Sequence, residues 1–301
     1  PALKADEFVT RPRTSAPPEE EPAPAEDNPL PPPDLDQVLA ELDALCGLER
    51  VKKDVKSLIN LVKVQKLRQE QGLPVSPMSL HLVFLGNPGT GKTTVARLLA
   101  RIYHAIGILS KGQLVEVDRS GLVAGYVGQT ALKTQKVIEK AMGGVLFIDE
   151  AYALNGRSEN DFGQEAIDTI LKAMEDHRDD LVVIVAGYTD LMDKFIHSNP
   201  GLESRFNRFL LFEDYSPDEM LAIFRMQCKK GCYQLAEGTE ELVRDYINEE
   251  NGDPETFGNA RGVRNCFEHI LVAQNNRLAA MESVTKDDLM TIIPDDVLYA
   301  R

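Results

Sequence analysis

Eight consecutive residues of this sequence have the composition of a loop that binds phosphate. They run from Gly86 to Thr93 and read Gly-Asn-Pro-Gly-Thr-Gly-Lys-Thr, which matches the pattern G-x-x-x-x-G-K-[ST]. Glycines let the backbone N–H groups of such a loop close around phosphate oxygens, and the helix that follows adds its positive end. Lys92 is therefore predicted to reach the β- and γ-phosphates of a nucleotide, and the Thr93 hydroxyl to ligate Mg²⁺. The other predicted nucleotide-binding residues here are Asn87, Pro88, Gly89, Thr90, Gly91 and Thr94.

The acidic pair Asp149 and Glu150 directly follows the apolar run Val145–Ile148. A buried parallel strand brings the residues after it to the carboxyl edge of its sheet, where the ligands of α/β proteins bind. We expect Asp149 to hold Mg²⁺ beside Thr93, and Glu150 to orient and polarise the attacking water. A paired-carboxylate hydrolase is the alternative. Adjacent strand residues point to opposite faces, however, and rarely share one substrate bond.

Two pairs of arginines are candidates for stabilising a transferring phosphoryl group, on which negative charge develops. Arg205 and Arg208 form the first pair, and Arg261 and Arg264 the second. Taken alone, each fits a surface or salt-bridge role better than a catalytic one. Their assignment depends on the rest of the chain.

The elements that must position these groups alternate between short apolar runs and helical stretches. Such alternation predicts βαβ units and a five-stranded parallel sheet covered by helices on both faces. The apolar runs are Leu80–Leu85, Leu114–Val117, Val145–Ile148, Leu181–Ala186 and Phe209–Phe212, and the helical stretches between them are Lys92–Ile106, Thr130–Met142, Glu165–His177 and Leu191–His197.

The chain divides into three predicted regions. Ten of the seventeen prolines lie in the first 36 residues, and proline denies the hydrogen bonds of helices and sheets. We predict a disordered, proline-rich acidic tail over residues 1–34 and an α/β nucleotide-binding domain over residues 35–213. Beyond that the strand pattern gives way to helical periodicity, which predicts a helical domain over residues 214–301.

Composition excludes several classes of protein. The chain has 301 residues with 48 acidic and 33 basic side chains, a formal charge of −15. Such a surface does not favour nucleic acid or an anionic membrane. The sequence has no run of 18 apolar residues to span a bilayer. Four cysteines without a CxxC pair do not indicate a disulfide framework, so we expect a cytoplasmic protein.

The motifs, in this order and followed by helices, resemble those of the AAA+ ATPases from about Asp34 to the C-terminus. Particular phrases make the sequence similar to the family of stage V sporulation protein K and the CbbX-type red Rubisco activases. The resemblance implies a P-loop AAA+ core, a C-terminal all-helical lid, and ATP and Mg²⁺ as ligands. The phrases that carry it are His81, Gly86–Thr93, Leu109–Gly112, Tyr126–Thr130, Gly143–Tyr152, Ala186–Tyr188 and Asn199–Phe206.

The resemblance also assigns roles to the arginines. It implies that Arg205 is an arginine finger acting on ATP in the neighbouring subunit, with Arg208 as the second candidate. Arg261 matches the sensor-2 arginine of the lid, and Arg264 is its alternative. These roles imply a ring of identical subunits, a hexamer in many relatives.

Three further segments take their roles from the resemblance. Gly47 and Leu48 match the segment that lies against adenine. Tyr126, Val127 and Gly128 match the pore loop that grips a protein substrate; a tyrosine packed under a loop is the alternative. Where many AAA+ proteins have a sensor-1 asparagine, this chain has Gly187-Tyr188-Thr189, which leaves that role open.

Three hypotheses of function follow. The first is an ATP-driven remodeler that pulls a protein substrate through a central pore. The second is a nucleotide-dependent switch or scaffold, in sporulation or type VII secretion, that binds partners without threading them. The third, a P-loop kinase or helicase, is disfavoured by the long helical C-terminal region and by the acidic charge balance.

Overall fold

The computed structural model of the protein describes residues 31–75, 78–126, 128–156 and 161–301. Residues 1–30 of the predicted tail lie outside the described residues, and so does Val127 of the predicted pore loop.

A five-stranded parallel sheet forms the centre of the first domain, as the alternation of apolar runs predicts. The order of the strands is β2-β3-β4-β1-β5, and every neighbouring pair is parallel. The observed ends differ from the predicted ones by at most two residues. The strands are β1 (Leu82–Leu85), β2 (Leu114–Val117), β3 (Val145–Ile148), β4 (Val182–Gly187) and β5 (Phe209–Leu211).

Helices cover both faces of this sheet, so alternate residues of one strand join different cores. Leu82 and Phe84 of β1 pack into one buried cluster, whereas Val83 packs into the other. Burial on both faces is the reason that the central strands β1, β3 and β4 are continuous apolar runs. The edge strand β2 is less buried and includes Glu116. The helices are α1 (Leu35–Asp43), α2 (Glu49–Glu70), α3 (Lys92–Ala105), α4 (Arg119–Leu122), α5 (Thr130–Ala141), a 3₁₀ helix (Ala151–Leu154), α6 (Gly163–Asp176), α7 (Thr189–His197) and α8 (Pro200–Arg205).

The C-terminal region is helical, with a core of its own around Phe224, Val243 and Ile270. It also contains a parallel pair of two-residue strands, a detail that helical periodicity does not reveal. The predicted domain boundaries remain a proposal. The elements are α9 (Pro217–Lys230), β6 (Gln234–Leu235), α10 (Thr239–Glu250), α11 (Pro254–Phe257), α12 (Ala260–Ala279), α13 (Lys286–Met290), β7 (Thr291–Ile292) and α14 (Pro294–Ala300).

The first helix of this region begins at a capping box. The Ser216 hydroxyl accepts from the Glu219 N–H at 3.3 Å, and the Glu219 carboxylate accepts from the Ser216 N–H at 2.8 Å. Pro217 fits the first turn because that position has no intrahelical partner for an N–H. Among the described residues, no helix combines the length and apolar character needed to cross a membrane.

Candidate nucleotide-binding site

A cavity of about 620 Å³ lies at the carboxyl ends of the strands, where the helical region meets the sheet domain. It brings together most of the residues that the sequence predicts for a nucleotide site. The predicted residues that line it are Leu48, Pro88, Gly89, Gly91, Lys92, Thr93, Thr94, Asp149, Glu150, Arg261 and Arg264.

Three predicted residues support the cavity without lining it. Thr90 is fully buried, and its hydroxyl donates to the Asn87 carbonyl at 2.8 Å. The side-chain amide of Asn87 donates to the Asp214 carboxylate at 2.9 Å. A Cβ at Gly47 would lie 2.2 Å from the Glu219 carboxylate. These three positions shape the loops around the cavity rather than its wall.

The phosphate loop needs glycine for conformation and for space. Gly86 has a φ of 143°, and a Cβ there would lie 2.2 Å from the Phe212 carbonyl. Gly91 has a φ of 94° at the start of α3. Side chains at these positions would strain the backbone or displace it, so the glycine pattern read from the sequence has a direct steric cause.

Lys92 is 8% exposed and its ammonium group is held inside its own loop. The Nζ donates to the carbonyls of Gly86 and Asn87, each at 2.7 Å. Burial lowers the pKa of Lys92, and the charge of Asp149 is the largest influence opposing that change. The loop thus holds the Lys92 side chain at the position where it would meet the phosphates of a nucleotide.

The two predicted metal ligands, Thr93 and Asp149, both supply oxygen atoms to the cavity. The Thr93 hydroxyl donates to the Glu116 carboxylate at 3.3 Å, and Asp149 lines the same cavity as Thr93. The described residues contain no group of three or more His, Cys, Asp or Glu arranged to hold a metal ion. This donor set fits Mg²⁺, which keeps several waters and needs only one or two protein oxygens beside the phosphates of a substrate.

The turn after β3 places both acidic residues at the cavity. Strand β3 ends at Ile148, and Glu150 has a left-handed backbone with a φ of 48°. Its N–H donates to the Asp149 carboxylate at 3.0 Å. The expectation that the pair points to opposite faces was wrong, because neither residue belongs to the strand. Against a paired-carboxylate hydrolase there remains the phosphate loop in the same cavity.

Tyr188 and Gly187 line the cavity at the position of the sensor-1 segment. The Tyr188 ring lies 6.2 Å from that of Tyr152, measured between centroids. An aromatic pair therefore occupies the end of β4.

The other end of the cavity is more apolar, which suits a flat base. Leu45 and Leu48 approach from the turn before α2, while Ile223 and Met226 approach from α9. The sequence reasoning missed the contribution of α9, because periodicity shows that a helix has an apolar face but not which element meets it. The missed lining residues are Leu45, Cys46, Tyr215, Ile223, Met226, Gln227, Lys230 and Ala260.

Arg205 lies at the other edge of the sheet. It ends α8, four positions before β5 begins at Phe209, and its backbone carbonyl accepts from the Ser79 hydroxyl at 2.6 Å. Arg208 also contacts Ser79, through its Nε, which donates to the Ser79 carbonyl at 3.2 Å. Ser79 precedes β1, and the phosphate loop follows β1. The length of that strand, roughly 13 Å, therefore separates Ser79 from the phosphate loop. Neither arginine lines the cavity.

One ion pair holds the Arg205 guanidinium. Its Nη2 lies 3.2 Å from the Glu175 carboxylate, and its Nη1 donates to the Gly201 carbonyl at 3.3 Å. The buried Nε atom has no hydrogen-bond partner among the described residues. The side chain remains 28% exposed and Glu175 64% exposed, so the arginine is accessible at the surface.

Tyr126 is 74% exposed, directly before the predicted pore-loop position that lies outside the described residues. Gly128 has a φ of 75°, and a Cβ there would contact nothing within 4 Å. The tyrosine is therefore not packed under a loop, which was the alternative expectation.

Comparison with known families adds independent information. Residues 82–214 match the family described as ATPases associated with various cellular activities (AAA), and residues 216–300 match the AAA lid domain. The two matches together cover the phosphate loop, the acidic pair and the lining residues on the helices α9 and α12.

Curated relatives match over most of the chain. Stage V sporulation protein K of Bacillus subtilis is 43% identical over 87% of this chain and 82% of its own length. The chloroplastic ribulose bisphosphate carboxylase/oxygenase activase of Cyanidioschyzon merolae is 45% identical, over 89% of this chain and 92% of its own. Protein CbbX of Cereibacter sphaeroides is 44% identical, over 88% and 87%.

Solved structures agree on the fold. The FIGL-1 AAA domain in complex with ADP aligns with a TM-score of 0.60 at 19% identity, covering 85% of this chain and 82% of that one. A mutant of Thermotoga maritima RuvB aligns with a TM-score of 0.56 at 19% identity, covering 86% and 71%. At these identities the likeness concerns the fold alone.

Proposed function

This chain belongs to the AAA family of ATPases, and from that premise we propose that it is an ATP-driven remodeler of a protein substrate that works as a ring of identical subunits. The observation that carries the proposal is the exposed Tyr126, 74% accessible in a glycine-flanked loop. An aromatic side chain held out in this way suits contact with a polypeptide of any sequence, because the ring packs on backbone and side chains alike.

The chemistry would begin with the phosphate loop. Its backbone N–H groups and the amino end of α3 bind phosphate oxygens, as such loops do. Lys92 exchanges its two carbonyl partners for the β- and γ-phosphates of ATP. Thr93 and Asp149 would hold Mg²⁺, which when bound neutralises charge on those phosphates.

Glu150 and the arginines complete the site. Glu150, at the rim of the cavity, orients the attacking water and polarises it towards the γ-phosphorus. Arg261, with Arg264 as the alternative, approaches from α12. Arg205 is too far along the strands to reach the phosphates of its own subunit, which supports a role at the neighbour's site.

Mixing two inactive variants tests the action of Arg205 between subunits. We expect Arg205→Ala and Lys92→Ala proteins to be inactive separately and to regain hydrolysis when mixed, because an intact arginine then faces an intact phosphate loop. Mixing Lys92→Ala with Glu150→Gln is the matched control and should stay inactive, since both residues serve one site. Phosphate release is the measurement. If the mixture of Arg205→Ala and Lys92→Ala releases no phosphate, although fluorescence shows that the subunits exchange, the proposal is rejected.

Electron cryomicroscopy tests the remodeler against the switch or scaffold. The sample is Glu150→Gln protein with ATP and Mg²⁺, which should hold ATP without hydrolysing it. We expect a closed or spiral ring, a hexamer by family resemblance, with Tyr126 of every subunit on the axis. Tyr299, 84% exposed on the last helix, serves as the reference tyrosine away from the axis. Tyr126 on the outer surface would favour a scaffold.

A further inference from the structure

Asn259, the residue before helix α12, has a backbone that asparagine rarely adopts. Its φ is 55° and its ψ is −127°, and the residue is 1% exposed. Glycine suits such angles, and any other residue there is strained. Strain of this kind persists where the surroundings hold the residue in place, so the side chain of Asn259 must be firmly held.

The Asn259 side chain uses both ends of its amide. Its Oδ1 accepts from the Tyr215 N–H at 2.9 Å, and its Nδ2 donates to the Asp214 carboxylate at 2.8 Å and to the Pro88 carbonyl at 3.3 Å. One buried side chain thereby connects the phosphate loop, the segment that leaves the sheet domain, and the start of α12.

The neighbouring contacts join the same three segments. Asp214 also accepts from the Asn87 side chain at 2.9 Å, the Tyr215 hydroxyl donates to the Thr90 carbonyl at 3.3 Å, and the Ala260 N–H donates to the Gly89 carbonyl at 3.2 Å. The phosphate loop and the segment before α12 are in close contact at Gly89, because a Cβ there would lie 2.0 Å from the Gly258 carbonyl.

These contacts orient the phosphate loop. In a trans peptide the C=O and the N–H point in opposite directions. With the carbonyls of Pro88 and Gly89 held by the helical region, the N–H groups of Gly89 and Thr90 point away from it. They are then free to bind an anion. Asn259 also sets the start of the helix that carries Arg261, two residues further on.

We propose that Asn259 is a positioning residue for ATP hydrolysis, tying the orientation of the phosphate-loop amides to the position of Arg261. It acts through those groups and does not touch the substrate. The proposal rests on the proposed nucleotide site. It predicts that loss of the side chain impairs the distinction between ATP and ADP more than it impairs folding.

Asn259→Gly tests this, because glycine accepts the backbone angles and removes only the side-chain bonds. We expect the melting temperature to stay close to that of the wild type and kcat to fall about tenfold to a hundredfold. The ratio of ADP to ATP dissociation constants should move towards one. Amide exchange at Gly89 and Thr90 should become faster. Asn251→Gly, at the end of α10, is the matched control and should change none of these.

A second pair of variants separates positioning from packing. Asn259→Asp alone sets two carboxylates against each other and should impair hydrolysis strongly. Adding Asp214→Asn restores a donor and an acceptor to the pair, and should recover part of kcat. When Arg261→Ala is already present, Asn259→Gly should change the ratio of the ADP and ATP dissociation constants only slightly. Asn259 is proposed to act through Arg261, so the two effects should not add.

Wild-type hydrolysis and ATP binding by Lys92→Ala separate a failure of the nucleotide site from a failure of the role proposed for Asn259. If wild-type protein does not hydrolyse ATP, or Lys92→Ala binds it normally, the nucleotide site itself is wrong. If those two behave as expected and Asn259→Gly retains wild-type kcat, nucleotide preference and exchange, only the role of Asn259 is overturned. A lowered melting temperature with unchanged kcat and nucleotide preference would likewise overturn it and leave a structural asparagine.

Discussion

The phosphate loop and the Arg205 segment lie at opposite ends of the same strands, and a single subunit satisfies them to different degrees. Lys92 is 8% exposed and donates two hydrogen bonds of 2.7 Å within its own loop. Arg205 is held by an exposed acid at 3.2 Å, and its Nε has no partner among the described residues. The first region is ordered by contacts within one subunit, whereas the Arg205 guanidinium is held by an exposed ion pair that another molecule can reach.

The two regions therefore predict different requirements for binding and for hydrolysis. In the proposed mechanism, nucleotide binding would depend on groups that one chain orders by itself, so it should survive in an isolated subunit. Hydrolysis would need the surface-accessible arginine of a second copy. Four substitutions test this contrast.

Lys92→Ala should have the largest effect, because it removes the buried cation of the self-contained region. We expect ATP binding to become too weak to measure by calorimetric titration. Lys53→Ala, an exposed lysine on α2, removes the same group elsewhere and should bind ATP normally. Tight ATP binding by Lys92→Ala would mean that the Lys92 side chain does not contact the phosphates. The proposed difference between the phosphate loop and the Arg205 segment would then be wrong.

Glu150→Gln should separate the two steps inside the nucleotide cavity. The amide keeps the shape of the side chain but cannot act as a base, so ATP should remain bound while turnover falls about 100-fold or more. Equilibrium binding and single-turnover phosphate release on the same sample test this. Turnover near the wild-type rate would show that another group activates the water.

His81 makes the Arg205 end of the sheet sensitive to acid. The side chain is buried, its Nδ1 accepts from the Val183 N–H at 3.0 Å, and its ring lies 6.1 Å from that of Phe206. Burial, and next the charge of Arg205, lower the pKa of His81 from 6.5 to about 4. Because the folded state binds this proton less readily than the unfolded state, stability is lost as pH falls from 6.5 towards 4.

The loss should approach about 3 kcal/mol across that window. His81→Asn retains an acceptor but does not titrate, so its stability should fall less between pH 6.5 and 4. Urea unfolding at several pH values, for both proteins, measures the difference. The pKa of His197 changes in the opposite direction: a backbone hydrogen bond to Asp193 and the charge of Asp193 raise it. Parallel pH profiles for wild type and His81→Asn would contradict the assignment.

Glu175→Gln should have the smallest effect. Its ion pair with Arg205 is exposed, and such pairs contribute up to about 1 kcal/mol. If Arg205 must leave this partner to reach a neighbouring phosphate, the variant should hydrolyse ATP faster, by at most about fivefold. Steady-state turnover at saturating protein concentration tests this. A fall as deep as that of Arg205→Ala would show that Glu175 orients the arginine rather than competing for it.

The sheet and the phosphate loop could be predicted because their causes are local. Buried parallel strands must be apolar on both faces, which produced recognisable runs at β1, β3 and β4. Gly86 and Gly91 are required by backbone angles and by a neighbouring carbonyl, so the pattern of glycines is itself the evidence. Glu150 lies in the predicted cavity, and only the assumption that the acidic pair belongs to the strand was wrong. The left-handed backbone of Glu150 ends the alternation of the strand, and the residue types Asp and Glu do not indicate such a turn.

The two-part architecture, the phosphate loop and the acidic residues that follow β3 could be read from the sequence, because each depends on residues close together in the chain. How these parts contact one another depends on the packing of distant segments. Asn259 lies 171 positions from Pro88, and Arg205 lies 126 positions from Ser79. Hydrogen bonds across such separations follow from how helices pack on the sheet, and side-chain periodicity shows which face of an element is buried but not which partner buries it.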